Sequence, residues 1–145
     1  MYNNPKYELK TPSNAEEWQA YHSIRRKVLF ENRGQVGVYD ENHPDEHSQG
    51  NYPLLLVLDG EAIGVIRVDI NGNRAIFRRV AIREDLQREG HGRILLILAE
   101  SFAQEKGCLH IWSDVALDAV GFYERCGHTL VPMKGTSISM QKKLD

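Results

Sequence analysis

The sequence predicts an α+β fold in which mixed α/β layers place helices over a twisted, mostly antiparallel sheet. Three observations carry this. Three apolar strand runs joined by tight-turn residues fill the middle of the chain, a long helix stopped by glycine follows them, and a strand, a short helix and two further strands complete the order. At 145 residues the chain suits one domain, 1–145, with a single core.

A short strand is expected at Tyr7–Leu9. Ser13 with Glu16 three residues later is a capping-box pattern, so a helix should begin there. Trp18, Tyr21, Ile24 and Val28 recur at helical spacing and mark its inward side, leaving Glu16, Glu17, Arg26 and Lys27 mostly on other faces. From Glu31 to Tyr52 the chain turns polar and carries Gly34, Gly37, Pro44 and Gly50; so long a connection is usually functional or mobile, and this one could cover a substrate. Leu54–Leu58, Ile63–Ile70 and Ala75–Ile82 read as an antiparallel meander, because Asp59-Gly60 and Asn71-Gly72-Asn73 are hairpin signals. Gly92–Lys106 is the central helix, with Leu95, Leu98 and Phe102 on one side and Gly107 as its stop. Leu109–Ser113 reads as a buried strand and Ala119–Cys126 as a short helix ending at Gly127. His128–Met133 and Ser137–Lys142 then pair around Lys134-Gly135.

Composition excludes several function classes. A formal net charge of -2 gives no overall attraction to nucleic acid or to an anionic membrane. The apolar runs Leu54–Leu58 and Ile94–Ala99 fall far short of the roughly 20 residues that span a bilayer, so no membrane partner is expected. Cys108 and Cys126 are widely spaced and the start MYNNPKYELK does not read as a secretory leader, so reduced thiols in a cytoplasmic protein are expected, with no zinc site. His43-Pro-Asp-Glu-His47 places two histidines four apart, but Pro44 works against a continuous helix and the H-E-x-x-H order is missing. A solvated or lid loop is the favoured reading, and no metal is expected.

The most informative stretch is Val80–Arg93, VAIREDLQREGHGR, which runs from a strand through a glycine-bearing loop into the central helix. Gln87, Arg88, Gly90 and Gly92 fall where the loop must turn tightly, and the unpaired N–H groups of the helix start then converge on a small volume of positive potential. Arg88 and Arg93 can add charge-assisted hydrogen bonds to phosphate oxygens. The loop is neither G-x-G-x-x-G with an acidic residue about 20 positions on nor G-x-x-x-x-G-K-[ST], so dinucleotide and Mg-nucleotide ligands are disfavoured.

Gln87-Arg88-Glu89-Gly90-His91-Gly92 resembles the Q/R-x-x-G-x-G/A acyl-CoA loop of the GNAT superfamily of N-acetyltransferases. Ala119–Gly127, AVGFYERCG, is similar to the same family's A-x-x-F-Y-E-x-x-G segment, in the right order behind it. The resemblance implies a GNAT fold, acetyl-CoA as the cofactor, and a gap where the strand ending at Ile82 splays from the strand starting at Leu109 and admits the pantetheine. It also implies that Val80 and Ile82, with Ala81 between them, offer backbone groups to the pantetheine and the acyl oxygen. The loop Gln87, Arg88, Glu89, Gly90, His91, Gly92 and Arg93 would hold the pyrophosphate, His91 through its backbone more than its ring. Tyr123 stands at the position of the family's general acid. Ala116 departs from the pattern, since many members carry Asn there.

Acyl transfer to an amine needs an oriented thioester, a donor for the developing oxyanion, a proton for the leaving thiolate and a neutral amine. A phenol with reference pKa near 10 remains protonated at neutral pH and suits the third task. No general base stands out among Glu46, His47 and Asp69; Asp69 shares a strand face with Arg67, where an exposed ion pair is the simpler reading. Arg78 and Arg79 are adjacent on a strand, so alternation sends them to opposite faces. By analogy with family members that acylate small amino acids, Arg78 is expected to clamp an acceptor carboxylate, with Arg25 as a second clamp. The reading that emerges is an N-acetyltransferase acting on a primary amine of a small molecule, amino-acid-like acceptors included, by direct attack in a ternary complex. A protein N-terminal or lysine acetyltransferase and a non-catalytic CoA-binding sensor are the alternatives. Family members often pair as homodimers, and the sequence leaves the oligomeric state open.

Overall fold

The structure, a computed structural model, describes residues 6–132, 135 and 137–144. Strand β1 (Tyr7–Lys10) leads into helix α1 (Ala15–Arg25), and the long connection ends at β2 (Asn51–Leu58). Strands β3 (Glu61–Asn71) and β4 (Arg74–Ile82) complete the meander. Helix α2 (His91–Glu105), β5 (His110–Asp114), α3 (Val120–Arg125), β6 (Thr129–Leu130) and β7 (Ser139–Lys143) follow. Among the described residues seven strands form one sheet in the order β1-β2-β3-β4-β5-β7-β6, antiparallel except for the β4–β5 pair. The terminal hairpin is shorter than the sequence pattern implies, and Met133 and Lys134, expected in its first strand and turn, lie outside the described residues.

Local chemistry accounts for most of these boundaries. Gly107 and Gly127 adopt φ of 88° and 90° after α2 and α3. In each case the two following N–H groups reach back to close a Schellman cap: Gly107 to Gln104 and Cys108 to Ala103, Gly127 to Glu124 and His128 to Tyr123. The expected capping box sits one residue later than Ser13–Glu16. Asn14 is the N-cap and accepts from the Glu17 N–H, while the Glu17 carboxylate accepts from both the N–H and hydroxyl of Ser13. An amide oxygen at Asn14 reaches the third helical N–H directly, which fixes the shift.

Two cores flank the sheet. Leu54, Leu56, Ile66, Val68 and Phe77 pack under α2 and α3 with Leu95, Leu96 and Ala99, whereas Leu55, Val65 and Ala81 pack against Tyr21 and Ile24 of α1. Strand β4 changes sides part-way along. Phe77 belongs to the first core, yet Ala81, four residues on and therefore on the same face of a regular strand, belongs to the second, while Val80 and Ile82 turn into the first. The cause is a bulge. Arg67 pairs with Arg78 and Val65 with Ala81, so Arg79 and Val80 together oppose Ile66, and Arg79 takes the left-handed conformation at φ 58°.

The connection after α1 is ordered by one buried carboxylate. The helix runs on as a π-turn (Arg26–Phe30), and farther along a 3₁₀ turn (Pro44–His47) delivers Glu46, which is 2 % exposed, to the side of α1. The Tyr21 hydroxyl donates to Glu46 Oε1 at 2.8 Å, and Arg25 Nη1 pairs with Oε2 while also donating to the Tyr21 oxygen at 2.9 Å. Burial alone would raise the Glu46 carboxyl, but the Arg25 charge and the two hydrogen bonds outweigh it and hold the group below its ordinary 4.5. A carboxylate depressed in the folded state contributes stability above the ordinary value that is lost as pH falls through the folded one. Glu46→Gln should therefore lower unfolding free energy at neutral pH by about 3 kcal/mol, by stranding the buried Arg25 charge. It should also flatten the loss of stability below pH 4.5; urea titrations at neutral and acid pH check both.

Candidate active site

The turn between β4 and α2 is built for close approach of an anion. A 3₁₀ turn (Glu84–Leu86) leads into Gln87, whose side-chain amide donates to the Ile82 carbonyl at 3.0 Å, and Arg88 and Gly90 both take left-handed φ, 66° and 89°. Gly90 is the N-cap of α2 and no side chain caps the helix, so its first N–H groups face outward. A Cβ on Gly92 would lie 3.1 Å from the Phe122 ring, so this glycine lets α3 pack directly on the start of α2. The His91 ring is turned toward β1, where Nδ1 meets the Tyr7 hydroxyl at 2.8 Å. Glu89 and Arg93 are exposed at the rim.

Beside this loop the sheet opens. Strands β4 and β5 pair from Arg74–His110 to Phe77–Ser113 and no farther, although β4 continues to Ile82. Arg83 N–H donates to Ile63 O on the β3 side, so two-residue alternation directs the backbone groups of Ile82 and Val80 to the opposite edge, where β5 has left. The splay implied by the motif resemblance thus has a local cause in the bulge at Arg79.

Tyr123 lies on α3, whose Phe122 packs against Gly92 at the start of α2. It is 6 % exposed, with its ring edge-to-face against Phe122 (5.5 Å) and His128 (5.3 Å). The His128 contact belongs to the Schellman cap, which brings the residue beyond the cap back over the helix and so fixes the Tyr123 ring. Burial, with a smaller addition from Cys126, pushes the phenol above its ordinary value near 10.

On the α1 side of β4 lies a cavity of about 670 Å³, walled by the π-turn, the long connection, β3 and β4. Arg25, Arg67, Arg78 and Arg79 all line it. The expectation that Arg78 and Arg79 face opposite ways is therefore corrected: the left-handed step at Arg79 breaks the alternation and leaves both on one cavity. The Arg67–Asp69 pair is likewise not exposed. Arg67 is 6 % exposed and binds Asp69 through Nε and Nη2 at 2.8 and 2.9 Å, while Arg78 Nε adds a third bond to the same carboxylate at 3.0 Å. Both Asp69 oxygens are engaged by arginines and Glu46 is locked to Arg25, while the His47 ring packs against Trp18 at 5.4 Å. A second cleft, about 470 Å³, lies at the paired end of β4 and β5 around Arg74 and Trp112, away from the loop.

Residues 9–128 match the family model described as Acetyltransferase (GNAT) family. The chain belongs to this family. It is an acetyl-CoA-dependent N-acetyltransferase. A protein from Lactobacillus plantarum, itself assigned provisionally as an N-acetyltransferase, superposes with a TM-score of 0.78 at 27% identity over 98% of this chain and 99% of its own. PaiA N-acetyltransferase from Thermoplasma acidophilum, solved with coenzyme A, gives 0.73 at 21% over 96% and 99%. An aminoglycoside 6'-N-acetyltransferase complexed with coenzyme A gives 0.76 at 14% over 95% and 96%. The last two share the fold.

The residues present fit coenzyme A: an uncapped helix start, a glycine whose Cβ would strike Phe122, and a strand edge that its neighbour has left. Phe30 and Tyr39, which the sequence pattern did not flag, also line the cavity of this GNAT enzyme, beside Arg79. Phe30 and Tyr39 come from the connection, with ring centroids 5.1 Å apart, and only the length of that segment hinted at them. Ala116, in place of the frequent Asn, precedes a 3₁₀ turn and accepts from the Ala119 N–H through its backbone. Gly92→Val should displace Phe122 and weaken coenzyme A binding about tenfold or more, measured by calorimetry, with the far-ultraviolet circular dichroism unchanged.

Proposed function

We propose that the enzyme moves the acetyl group of acetyl-CoA to the primary amine of a small molecule by direct attack in a ternary complex. The observation that carries this is the position of the cavity. A bounded volume of about 670 Å³ adjoins Arg78 and Arg79, and the next residues of the same strand, Val80 to Ile82, form the edge assigned to the acyl donor. A volume of that size suits a small acceptor. The long connection, pinned by Glu46, forms one wall of the cavity and narrows it to the size of a small acceptor. We take the enzyme to be cytoplasmic, in keeping with the free Cys108 and Cys126.

Acetyl-CoA supplies the acyl group activated as a thioester. Residues Gln87–Arg93 hold its pyrophosphate at the uncapped start of α2, chiefly through backbone N–H groups, with Arg88 and Arg93 adding charge. Val80 presents its main-chain donor and acceptor and Ile82 its N–H along the opened edge, the Ile82 carbonyl being engaged by Gln87, and a donor fixed in a strand stabilises developing oxyanion charge with no reorganisation. Ala81 anchors that edge by packing its methyl group into the α1-side core. As the C–S bond breaks Tyr123 gives its proton to the departing thiolate, and the phenolate is restored by the proton that the attacking nitrogen sheds on becoming an amide; a phenol at or above its ordinary value is protonated at neutral pH and so ready for this role. Arg25 and Arg78 shape the acceptor side, their charges met by Glu46 and by Asp69 with Asp114.

Tyr123→Phe keeps the ring and removes only the hydroxyl. It should lower kcat about 100-fold or more with KM for acetyl-CoA within about twofold, measured by thiol release. A variant that turns over as fast as the parent would remove Tyr123 from the chemistry, and a parent that consumes no acetyl-CoA with any amine would point to a CoA sensor instead.

A further inference from the structure

The acceptor cavity carries an imbalance of charge that names a class of acceptor. Three of its four arginines are already answered by carboxylates: Arg25 by Glu46, Arg67 by Asp69 through two bonds, and Arg78 by Asp69 at 3.0 Å and Asp114 at 3.7 Å. Arg79 is not. Among the described residues its guanidinium meets no carboxylate and is held over the Phe30 ring, 5.2 Å from the centroid.

The backbone adds a second, independent observation. Arg79 sits at φ 58°, a conformation that disfavours every residue with a Cβ and that glycine would adopt freely. The bulge itself therefore does not call for arginine; the side chain does. Partial burial, reinforced by the like charges of Arg25, Arg67 and Arg78, also depresses the Arg79 pKa, which is the direction expected of a cation placed where its own fold offers no counter-ion.

Resting on the small-amine reading above, we infer that Arg79 binds the carboxylate of the acceptor, and that the acceptor is an amino acid acetylated on its amine. Among the described residues Arg79 is the lining arginine without a carboxylate partner, and Asp40 and Asp45 are lining carboxylates without an arginine partner, so the cavity offers a planar cation for a two-oxygen carboxylate together with anions for an ammonium. A phosphate dianion fits less well, because Asp40, Asp45, Asp69 and Asp114 also face the cavity and would repel its second charge. The same carboxylates favour an ammonium group before it is deprotonated, so the cavity as a whole suits a zwitterion.

The test compares each of a panel of free amino acids with its own amino amide, in the parent and in Arg79→Gly and Arg79→Lys. Glycine keeps the left-handed step, so the variant retains the bulge. Thiol release from acetyl-CoA gives kcat and KM, and calorimetric titration of the same amino acids in the presence of coenzyme A gives affinity without turnover. The inference expects the parent to prefer the best acid over its amide by about 30-fold in kcat/KM, the preference to lie in KM, and the ratio to collapse toward unity in Arg79→Gly with partial recovery in Arg79→Lys. Equal use of acids and amides by the parent, or an acid-to-amide ratio unchanged in Arg79→Gly, overturns it while leaving the transferase reading standing. Arg79-dependent binding of an amino acid without turnover supports the clamp and overturns the transferase reading instead; no binding and no turnover overturns both.

Discussion

The structure depends on one residue of β4 stepping out of strand geometry. Arg79 in the left-handed region makes two residues face one on β3, and three consequences follow from that single insertion. The phase of β4 reverses, so Val80 and Ile82 pack beneath α2 while Ala81 turns toward α1. Pairing with β5 stops at Phe77 and Ser113, which opens a main-chain edge in the middle of the sheet. Arg78 and Arg79 come to line one cavity on the α1 side. A left-handed non-glycine residue costs about 1–2 kcal/mol, and the surrounding ladder and the Phe30 ring hold it there. Strain at a site that both substrates must approach fits the tendency of such outliers to cluster where function is.

The two halves of the proposed site obey different chemistry. The acyl-CoA half is made mostly of backbone: an uncapped helix start, a strand edge and glycines that permit contact. The acceptor half is made of side chains from α1, the π-turn, the long connection, β3 and β4, held together by the buried Tyr21–Arg25–Glu46 cluster. Tyr123 joins them from a third direction, on a short helix whose glycine-ended cap also seats His128 against its ring. A division of this kind lets one cofactor grip serve many acceptors, because changing side chains on the second half leaves the first untouched.

What the sequence made legible follows the same division. Periodicity and turn residues located the meander, the central helix and both glycine stops, since Asp59-Gly60, Gly107 and Gly127 act through local backbone rules that hold wherever they occur. The turn between β4 and α2 was legible for the same reason: a turn that needs left-handed backbone and close packing leaves glycines at fixed spacing. The bulge was not, because an arginine at positive φ carries no compositional mark, and strict alternation then sent Arg78 and Arg79 to opposite faces. The Arg67–Asp69 pair was legible from strand spacing, but its burial and the third bond from Arg78 were not, and the partners of Glu46, namely Arg25 and Tyr21, are set by tertiary contacts that no spacing announces. The cap at Asn14 in place of Ser13 is a smaller case, decided by which of two adjacent side chains reaches the third amide.

The central claim is that the bulge frees the Val80 and Ile82 main chain for the acyl donor while Ala81 stays bound to β3. Residue-resolved hydrogen exchange with and without coenzyme A measures this directly. Val80 and Ile82 amides should exchange faster than that of Ala81 in the free protein and slow about tenfold or more when coenzyme A is added, with Ala81 changing little. Protection of Val80 and Ile82 already in the free protein, or exchange there that coenzyme A leaves unaltered, would contradict the account.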